Sequence, residues 1–327
     1  MKEGILMSNI LVTAIGSFAA DGVISNLKSE NHVVIGCDIY DRRWIANTED
    51  VDFFYQVSLA EKTAEYIRDI LQICQKHDVE FVLPLTDIEV DVLNVYRDMF
   101  QREGVTICIS PSESIKLCRN KLLTYQFLRE SGISNLIPTY RLAEREKGLK
   151  LEYPLVVKPY DGRSSQGVSG IRDEEELNDF LKRNDISKLI VQPRIEGNII
   201  TIDVVRSADD GKQIAIARKE LLRTLNGAGI SVYVFKNEAL EEEAMKIAEL
   251  LNINGCVNFE YIETENGEYY FMECNPRFSG GVKFSCIAGY NCVINHLNCF
   301  TGKEIDNSDN IKEMYIARKY EEYITQM

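Results

Sequence analysis

Two glutamates stand at matching distances on either side of a tight turn late in the chain. The segments GCVNFEYIE and EYYFMECN flank the Asn-Gly dipeptide at 266–267. Asn-Gly is the strongest short-range signal for a two-residue β-hairpin loop. With that loop, Glu265 lies opposite Glu268, and counting back along both strands places Glu260 opposite Glu273. The sequence therefore predicts two carboxylates side by side on one face of a hairpin.

Such a pair favours a cation between the carboxylates. Opposite residues of an antiparallel pair have Cβ atoms roughly 4.5–5.5 Å apart, where like charges are destabilising. The same register pairs Asn258 with Asn275, and hard divalent cations take oxygen ligands. The other face of the second strand carries Tyr270, Met272 and Cys274. A solvated polar face is the alternative, but Arg277 and the glycines of NPRFSGG favour a ligand site.

The elements before this hairpin begin with short apolar strands alternating with helices. NILVTAIG, HVVIGCDI, VEFVLPL and VTICIS are predicted strands, and EYIRDILQICQKHD has helical spacing of its apolar residues Tyr66, Ile70, Ile73 and Cys74. This alternation predicts a doubly wound α/β unit. SPSE then predicts a helix capped by Ser110, with Pro111 in first position and Glu113 closing a capping box, that ends at Gly132.

The later segments predict a glycine-rich loop and an antiparallel sheet. The strand YPLVVKP precedes the loop YDGRSSQGVSG, a helix with Asp173 and Glu176 as a capping box, and the strand KLIVQP. NIITIDVVRS and KQIAIARKE, joined by ADDG, predict a hairpin. LEEEAMKIAELL predicts an amphipathic helix.

Composition excludes several function classes. The chain has 327 residues, 45% of them hydrophobic, which suggests two or three domains. With 51 acidic against 37 basic side chains, its net charge of -14 repels nucleic acid and anionic membranes. The nine cysteines form no CxxC pair and lie in apolar stretches, and Cys292, His296 and Cys299 match no zinc spacing. The N-terminal apolar run is too short for a signal peptide or a membrane span, so we expect a cytoplasmic protein starting at Met1 or Met7.

At FMECNPRFSGG the sequence resembles the ATP-grasp superfamily of carboxylate–amine ligases, such as the carbamoyl-phosphate synthetase large subunit, biotin carboxylase and D-alanine–D-alanine ligase. The resemblance covers roughly residues 8 to 300. It implies an α/β (α+β) ATP-grasp fold with an N-terminal Rossmann-like pre-ATP-grasp domain. The implied domains are 1–112 and 113–327, the latter with a first lobe at 113–190 and a second lobe at 191–327.

The resemblance also implies the site residues. Lys121 and Lys158 match phosphate-binding lysines, and the 162–167 loop matches the flexible lid over the phosphates. Arg277 matches the arginine that stabilises the transferring phosphoryl group or acyl phosphate. The ligands of two magnesium ions, with Mn²⁺ as an alternative ion, are Glu260, Glu273 and Asn275. The remaining nucleotide contacts are Ser164, Ser165, Gln166 and Gly167 of the lid, and Val191 and Gln192 of the adenine-binding hinge.

One position departs from the family pattern. Ile199 stands where a glutamate usually binds the ribose hydroxyls. Glu196 or Asp203 could replace it, and Asp203 shares a strand face with Ile199. The alternative for Asp203 is an ordinary polar residue of an alternating strand, but the face that it shares with Ile199 favours a position toward the nucleotide.

The implied activity is ATP-dependent ligation through an acyl phosphate, with release of ADP and phosphate. The partners are a small-molecule carboxylate and an amine, one of them an amino acid, and a homodimer is left open. Candidate substrate contacts are Asp87, Glu89, Arg223, Ser279 and Gly280. Asp87 and Glu89 could bind an ammonium group or merely cap a helix, with capping favoured for Asp87. Arg223 could bind a carboxylate or lie on the surface.

Two other functions are weighed against this one. Gly16 after the first strand and Asp38 after the second have the spacing of a dinucleotide site, but GSFAADG is not G-x-G-x-x-G. The second alternative is a non-catalytic nucleotide sensor of the same fold, which only Ile199 favours.

Overall fold

The N-terminal part of the chain builds a parallel sheet covered by helices on both faces. The computed structural model describes residues 7–147, 152–163, 166–225 and 227–326. The strands of this first sheet lie in the order β3-β2-β1-β4-β5. They are β1 (Asn9–Val12), β2 (Val33–Asp38), β3 (Phe53–Gln56), β4 (Phe81–Leu83) and β5 (Thr106–Ile107). Helix α1 (Ala20–Ser29) packs on one face, and α2 (Thr63–Lys76) and α3 (Asp87–Arg102) pack on the other. The predicted doubly wound unit is confirmed.

Two helices replace the single helix predicted after this sheet. They are α4 (Ser112–Cys118) and α5 (Lys121–Glu130). The predicted cap is wrong, because the Ser110 hydroxyl donates to the Asn254 carbonyl at 2.9 Å instead of capping α4. Asn120 starts the second helix by accepting from the Leu123 N–H at 3.2 Å. Because α5 begins anew, Lys121 occupies its first position.

The middle of the chain forms a small antiparallel sheet in the order β6-β9-β7-β8. Its elements are β6 (Tyr140–Arg141), β7 (Leu155–Pro159), β8 (Ser169–Ile171), α6 (Glu174–Arg183) and β9 (Leu189–Pro193). Half of the predicted capping box is present. Asp173 accepts from the Glu176 N–H at 2.9 Å, but the Glu176 carboxylate accepts from the Arg172 N–H at 2.7 Å.

The third sheet is antiparallel and carries the predicted hairpins. Its order is β14-β13-β10-β11-β12-β15. The elements are β10 (Asn198–Arg206), β11 (Gln213–Arg223), β12 (Gly229–Phe235), α7 (Glu238–Leu250), β13 (Gly255–Glu263), β14 (Tyr269–Asn275), α8 (Val282–Ile287), α9 (Cys292–Thr301) and β15 (Met314–Ala317). One face packs on α7. The other face packs at one end on α8 and α9, which contact α1 of the first unit. Within the described residues, no helix is long and apolar enough to cross a membrane.

The acidic hairpin has the predicted pairs but a different turn. Glu260 lies opposite Glu273 and Asn258 opposite Asn275, as predicted. The two-residue loop is wrong, since the Thr264 N–H donates to the Glu268 carbonyl at 2.9 Å and a three-residue loop results. Gly267 ends this loop with a φ of 78°, a position that favours glycine.

A β-bulge restores the register between the turn and the glutamates. Tyr261 pairs with Phe271 and Glu260 with Glu273, so Met272 is the extra residue. The bulge lets Phe271 and Cys274 both face the core. It also moves Met272 to the cleft lining, which corrects the prediction that Met272 shares a face with Cys274.

The start of β13 provides a stability test. Gly255 has a φ of 90°, and a Cβ there would lie 2.5 Å from His296 Nδ1, which accepts from the Cys256 N–H. We expect Gly255→Ala to lower the free energy of unfolding by roughly 3 kcal/mol or more, through backbone strain and a buried clash. Gly302→Ala is the matched control, because Gly302 has a φ of 68° with nothing within 4 Å. It should cost about 1 kcal/mol. Equal losses in denaturant unfolding would contradict the clash.

Candidate active site

A cleft of about 870 Å³ opens where the three sheets meet. Its lining includes the acidic hairpin, the end of β7, the glycine-rich loop and the loop after β14. Twelve predicted site residues line it: Asp87, Lys121, Lys158, Gln166, Gln192, Arg223, Glu260, Glu273, Asn275, Arg277, Ser279 and Gly280. Residues far apart in sequence therefore meet in one cavity.

The two hairpin carboxylates face cations from different parts of the fold. Lys121 Nζ lies 3.0 Å from Glu273 Oε2, and Arg223 Nη2 lies 3.3 Å from Glu260 Oε2. Burial and the neighbouring Glu273 raise the pKa of Glu260. Burial would also raise the pKa of Glu273, but Lys121 and Lys158 outweigh it and lower that pKa. The carboxylate repulsion is thus offset by basic side chains.

The lysines connect the hairpin to the glycine-rich loop. Lys121 Nζ donates to the Gly162 carbonyl at 3.0 Å. Lys158 is 8% exposed, and burial lowers its pKa while Glu273 acts in the opposite direction. Both ammonium groups therefore lie beside the acidic pair at the mouth of the loop. Ser164 and Ser165, two predicted lid contacts, fall outside the described residues.

The hairpin donor set fits a magnesium ion. Asn275 Nδ2 donates to Asn258 Oδ1 and to Glu273 Oε1, both at 3.3 Å, which leaves its amide oxygen as an acceptor. Within the described ranges, no group of three His, Cys, Asp or Glu side chains could hold a metal. Two carboxylates and an amide suit magnesium, which usually keeps waters and substrate phosphates in its coordination shell. Glu260, Glu273 and Asn275 would hold it.

The N-terminal unit contributes a carboxylate to the arginine of NPR. Asp87 Oδ2 accepts from Arg277 Nη2 at 3.2 Å, and Arg119 Nη1 lies 3.7 Å from Asp87 Oδ1. Burial would raise the pKa of Asp87, but Arg277 and Arg119 outweigh it and lower that pKa. With two guanidinium groups beside it, Asp87 is engaged in positioning Arg277. The preference for a capping role of Asp87 is therefore wrong.

Glu89 instead closes the capping box of α3, whose N-cap residue is Thr86. Its Oε2 accepts from the Thr86 N–H at 3.2 Å and the Thr86 hydroxyl at 2.7 Å, and Tyr66 donates to Oε1 at 3.1 Å. It is buried, burial raises its pKa, and it does not line the cleft. The ammonium-binding alternative for Glu89 is therefore excluded.

A chain of ion pairs continues from Asp87 to the glycine-rich loop. Arg119 Nε donates to Asp91 Oδ1 at 3.1 Å, one helical turn after Asp87, and Asp91 also pairs with Arg163. Arg163 belongs to the glycine-rich loop and lines the cleft. The α3 helix therefore contacts both the NPR arginine and the loop.

The hinge residues lie in the interior of the second sheet. Val191 is buried between β6 and β7. Gln192 is 5% exposed and its Nε2 donates to Thr139 Oγ1 at 2.7 Å. Gly167 has a φ of 71° after Gln166 in the loop. Gln192 and Gln166 line the cleft, whereas the buried Val191 side chain does not.

Neither predicted replacement for the ribose-binding glutamate reaches the cleft. The Glu196 side chain is 82% exposed and lies 3.8 Å from Arg194. Asp203 is fully buried, pairs with Arg218 and accepts from the Ser285 hydroxyl at 2.8 Å. Sequence reasoning missed Arg218, which also donates to Ser279 Oγ at 3.0 Å. The sequence does contain a hint of this ion pair, because Arg218 is a basic residue in the predicted strand that neighbours the strand of Asp203.

The dinucleotide alternative fails at the first βα turn. Asp38 Oδ2 accepts from the Gly16 N–H at 2.8 Å, and Oδ1 accepts from the Tyr40 N–H at 3.1 Å. A buried carboxylate that holds its own loop is not free to bind ribose hydroxyls.

His296 is likewise structural, since its Nδ1 accepts from the Cys256 N–H at 2.8 Å.

Two known protein families match this chain. One, described as "PylC-like, N-terminal domain", matches residues 10–108. The other, described as "ATP-grasp in the biosynthetic pathway with Ter operon", matches residues 185–322. The carbamoyl phosphate synthase large chain, C-terminal section, of Aquifex aeolicus is 27% identical over 203 residues, 56% of this chain and 37% of that protein. The chain thus spans little more than a third of this relative.

Solved structures share the fold at low identity. Biotin carboxylase of Campylobacter jejuni, in a complex with β-γ-ATP, has a TM-score of 0.76 and 16% identity, covering 94% of this chain and 74% of that one. The L-amino acid ligase of Bacillus licheniformis has a TM-score of 0.70 and 17% identity, covering 89% and 74%. The overall fold is therefore shared with these enzymes.

The acidic hairpin generates a binding prediction. Glu273→Gln keeps the side-chain shape but removes one charge from the predicted metal ligands. We expect it to abolish the Mg²⁺-dependent part of ADP binding, measured by calorimetry with and without the metal. Glu263→Gln is the control, since Glu263 lies on the same sheet and pairs with Lys219 at 2.7 Å outside the cleft. An undiminished metal effect in Glu273→Gln would refute the metal site.

The Asp87–Arg277 pair generates a second prediction. Asp87→Asn removes the charge that orients Arg277, and small misplacements of reacting groups are costly. We expect ADP release from ATP to fall at least about tenfold, with ADP affinity within about twofold of wild type. Asp91→Asn is the matched control, because Asp91 contacts Arg119 and Arg163 but not Arg277. Equal effects of the two changes on turnover would argue against a specific role of Asp87.

Proposed function

The chain belongs to the ATP-grasp superfamily, and from this premise we propose that it is an ATP- and magnesium-dependent ligase that joins a carboxylate to an amine. One observation carries the proposal. The carboxylates of Glu260 and Glu273 share one cleft with two lysines and with Arg277. A sensor would need to bind the nucleotide, but it would not need an arginine held by a buried carboxylate beside the metal ligands.

The charges suit transfer of a phosphoryl group. Such transfer depends on positioning and on neutralising the phosphate oxygens. Lys121 and Lys158 would bind the phosphates of ATP, and the 162–167 loop would cover them. Magnesium, when bound, would neutralise the phosphate charge further. Arg277, oriented by Asp87, would contact the group that is transferred.

The proposed reaction has two steps. A substrate carboxylate oxygen attacks the γ-phosphorus of ATP, and ADP leaves. The amine, after losing its extra proton, then attacks the carbonyl carbon of the acyl phosphate. A C–N bond forms, the C–O bond to phosphate breaks, and phosphate leaves with a proton from the amine. No protein nucleophile is required, because the activated carboxylate is itself the electrophile. Asp203 is not available as a proton acceptor for this step, because it is fully buried against Arg218.

The substrates belong to the proposal as well. The likeness to the L-amino acid ligase supports an amino acid as one partner. Ser279, Gly280 and Arg223 line the cleft beyond the acidic pair and are proposed to contact the substrates. Two magnesium ions, a cytoplasmic location and a homodimer stay predictions.

The chemistry is tested by oxygen transfer. Amino acids and small carboxylates are first screened for ADP release, and the active carboxylate is then supplied with heavy oxygen. We expect one labelled oxygen in the released phosphate, because that oxygen bridges carbon and phosphorus in the acyl phosphate. Labelled AMP would reveal adenylyl transfer instead. Unlabelled phosphate would show that ATP is hydrolysed without activation of the carboxylate.

A further inference from the structure

Strand β11 places an unpaired carboxylate in the cleft. Thr201 lies opposite Arg218 on one side and Glu260 on the other, and Glu220 follows Arg218 by two residues. Glu220 therefore projects from the same sheet face as Glu260, and it lines the cleft. Its Oε2 is enclosed and has no hydrogen-bond partner. Within the described ranges, no lysine or arginine nitrogen lies within 4.0 Å of its carboxylate.

The basic side chains nearby are already engaged. Arg218 is bonded to Asp203, Ser279 and Ser285. Arg223 contacts Glu260 and donates to the Gly227 carbonyl at 2.8 Å. Glu220 is half-buried, with one enclosed oxygen that lacks a partner, so a cation that reaches the carboxylate from the cleft would stabilise it.

Glycine backbone packs directly against this carboxylate. A Cβ at Gly229 would lie 2.4 Å from Glu220 Oε2, so only glycine fits there without displacing the carboxylate. Arg318 donates to the carbonyls of both Gly229 and Gly280, which holds the β12 strand against the loop after β14. Phe18 borders the same place, 3.4 Å from the position of a Cβ on Gly280. The walls are glycine backbone and one aromatic ring.

We propose that Glu220 anchors the protonated amino group of the amine substrate, a role that rests on the proposed ligase function. A lone carboxylate pairs well with an ammonium group, which donates hydrogen bonds in several directions. A metal is a poorer fit, since Glu220 supplies a single carboxylate, whereas the hairpin supplies two carboxylates and an amide. The glycine walls admit a compact α-carbon, and Phe18 offers an apolar surface for the rest of the substrate.

The test uses two probes that differ in charge. Glycinamide carries an ammonium group, and glycolamide carries a hydroxyl in its place. Both are titrated by ligand-detected NMR against the full chain saturated with MgADP. We expect wild type to bind glycinamide more tightly than glycolamide. Glu220→Gln should weaken glycinamide binding about tenfold and leave glycolamide unchanged, because charge-assisted hydrogen bonds exceed neutral ones by that order.

Two further variants control for shape and for long-range charge. Glu220→Asp keeps the negative charge but moves it away from the ligand by one methylene group. We therefore expect a loss of glycinamide affinity between those of wild type and Glu220→Gln. Glu61→Gln removes the same charge from an exposed residue on the cleft rim and should change glycinamide affinity by less than about twofold. Matching thermal unfolding of all variants would show that the fold is kept.

Several outcomes would overturn the inference. These are undiminished glycinamide binding by Glu220→Gln, an equal loss in Glu61→Gln, or no preference of wild type for glycinamide. Weaker Mn²⁺ binding in Glu220→Gln would instead make Glu220 a metal ligand. A chain that does not bind MgADP at all would contradict the proposed ligase function, and this is measured separately before either probe is added.

Discussion

Repulsion between two carboxylates on adjacent strands is the constraint on which the cleft depends. Glu260 and Glu273 cannot share a half-buried face unless cations surround them. The structure brings those cations from three places: Lys121 from the start of α5, Lys158 from the end of β7, and Arg223 from the β11–β12 hairpin. The separate sheets must therefore meet at this point, and the same cations can serve phosphate oxygens when a metal takes the carboxylates.

The acidic pair was predictable, but for a partly wrong reason. The predicted turn was one residue too short, and the bulge at Met272 compensated for that error. The bulge has a physical cause, since Phe271 and Cys274 are three residues apart and both pack in the core. A regular strand puts residues with an odd separation on opposite faces. The odd spacing of the apolar residues in β14 therefore indicated a bulge. The prediction followed the Asn-Gly dipeptide instead, which favours a regular hairpin with a two-residue loop.

Roles set by tertiary pairing could not be predicted. Asp87 and Glu89 stand in the same helical turn, and the sequence offers both the same choices. The difference arises because Arg277, 190 residues away, contacts Asp87, whereas Tyr66 and Thr86 satisfy Glu89. Asp203 shows the same limit. Alternation places it on the cleft face correctly, but its burial follows from Arg218 on the neighbouring strand.

The distribution of charge along the cleft divides it into two unlike ends. Ile199 is apolar, Glu196 points to solvent and Asp203 is covered, so no predicted carboxylate faces the ribose position. The opposite end has Glu220, Arg223, Arg277 and the acidic pair. Under the proposed function, nucleotide affinity would come chiefly from the hinge and the phosphate-binding cations. The unpaired carboxylate of Glu220 lies on β11, where we propose that the amine substrate binds.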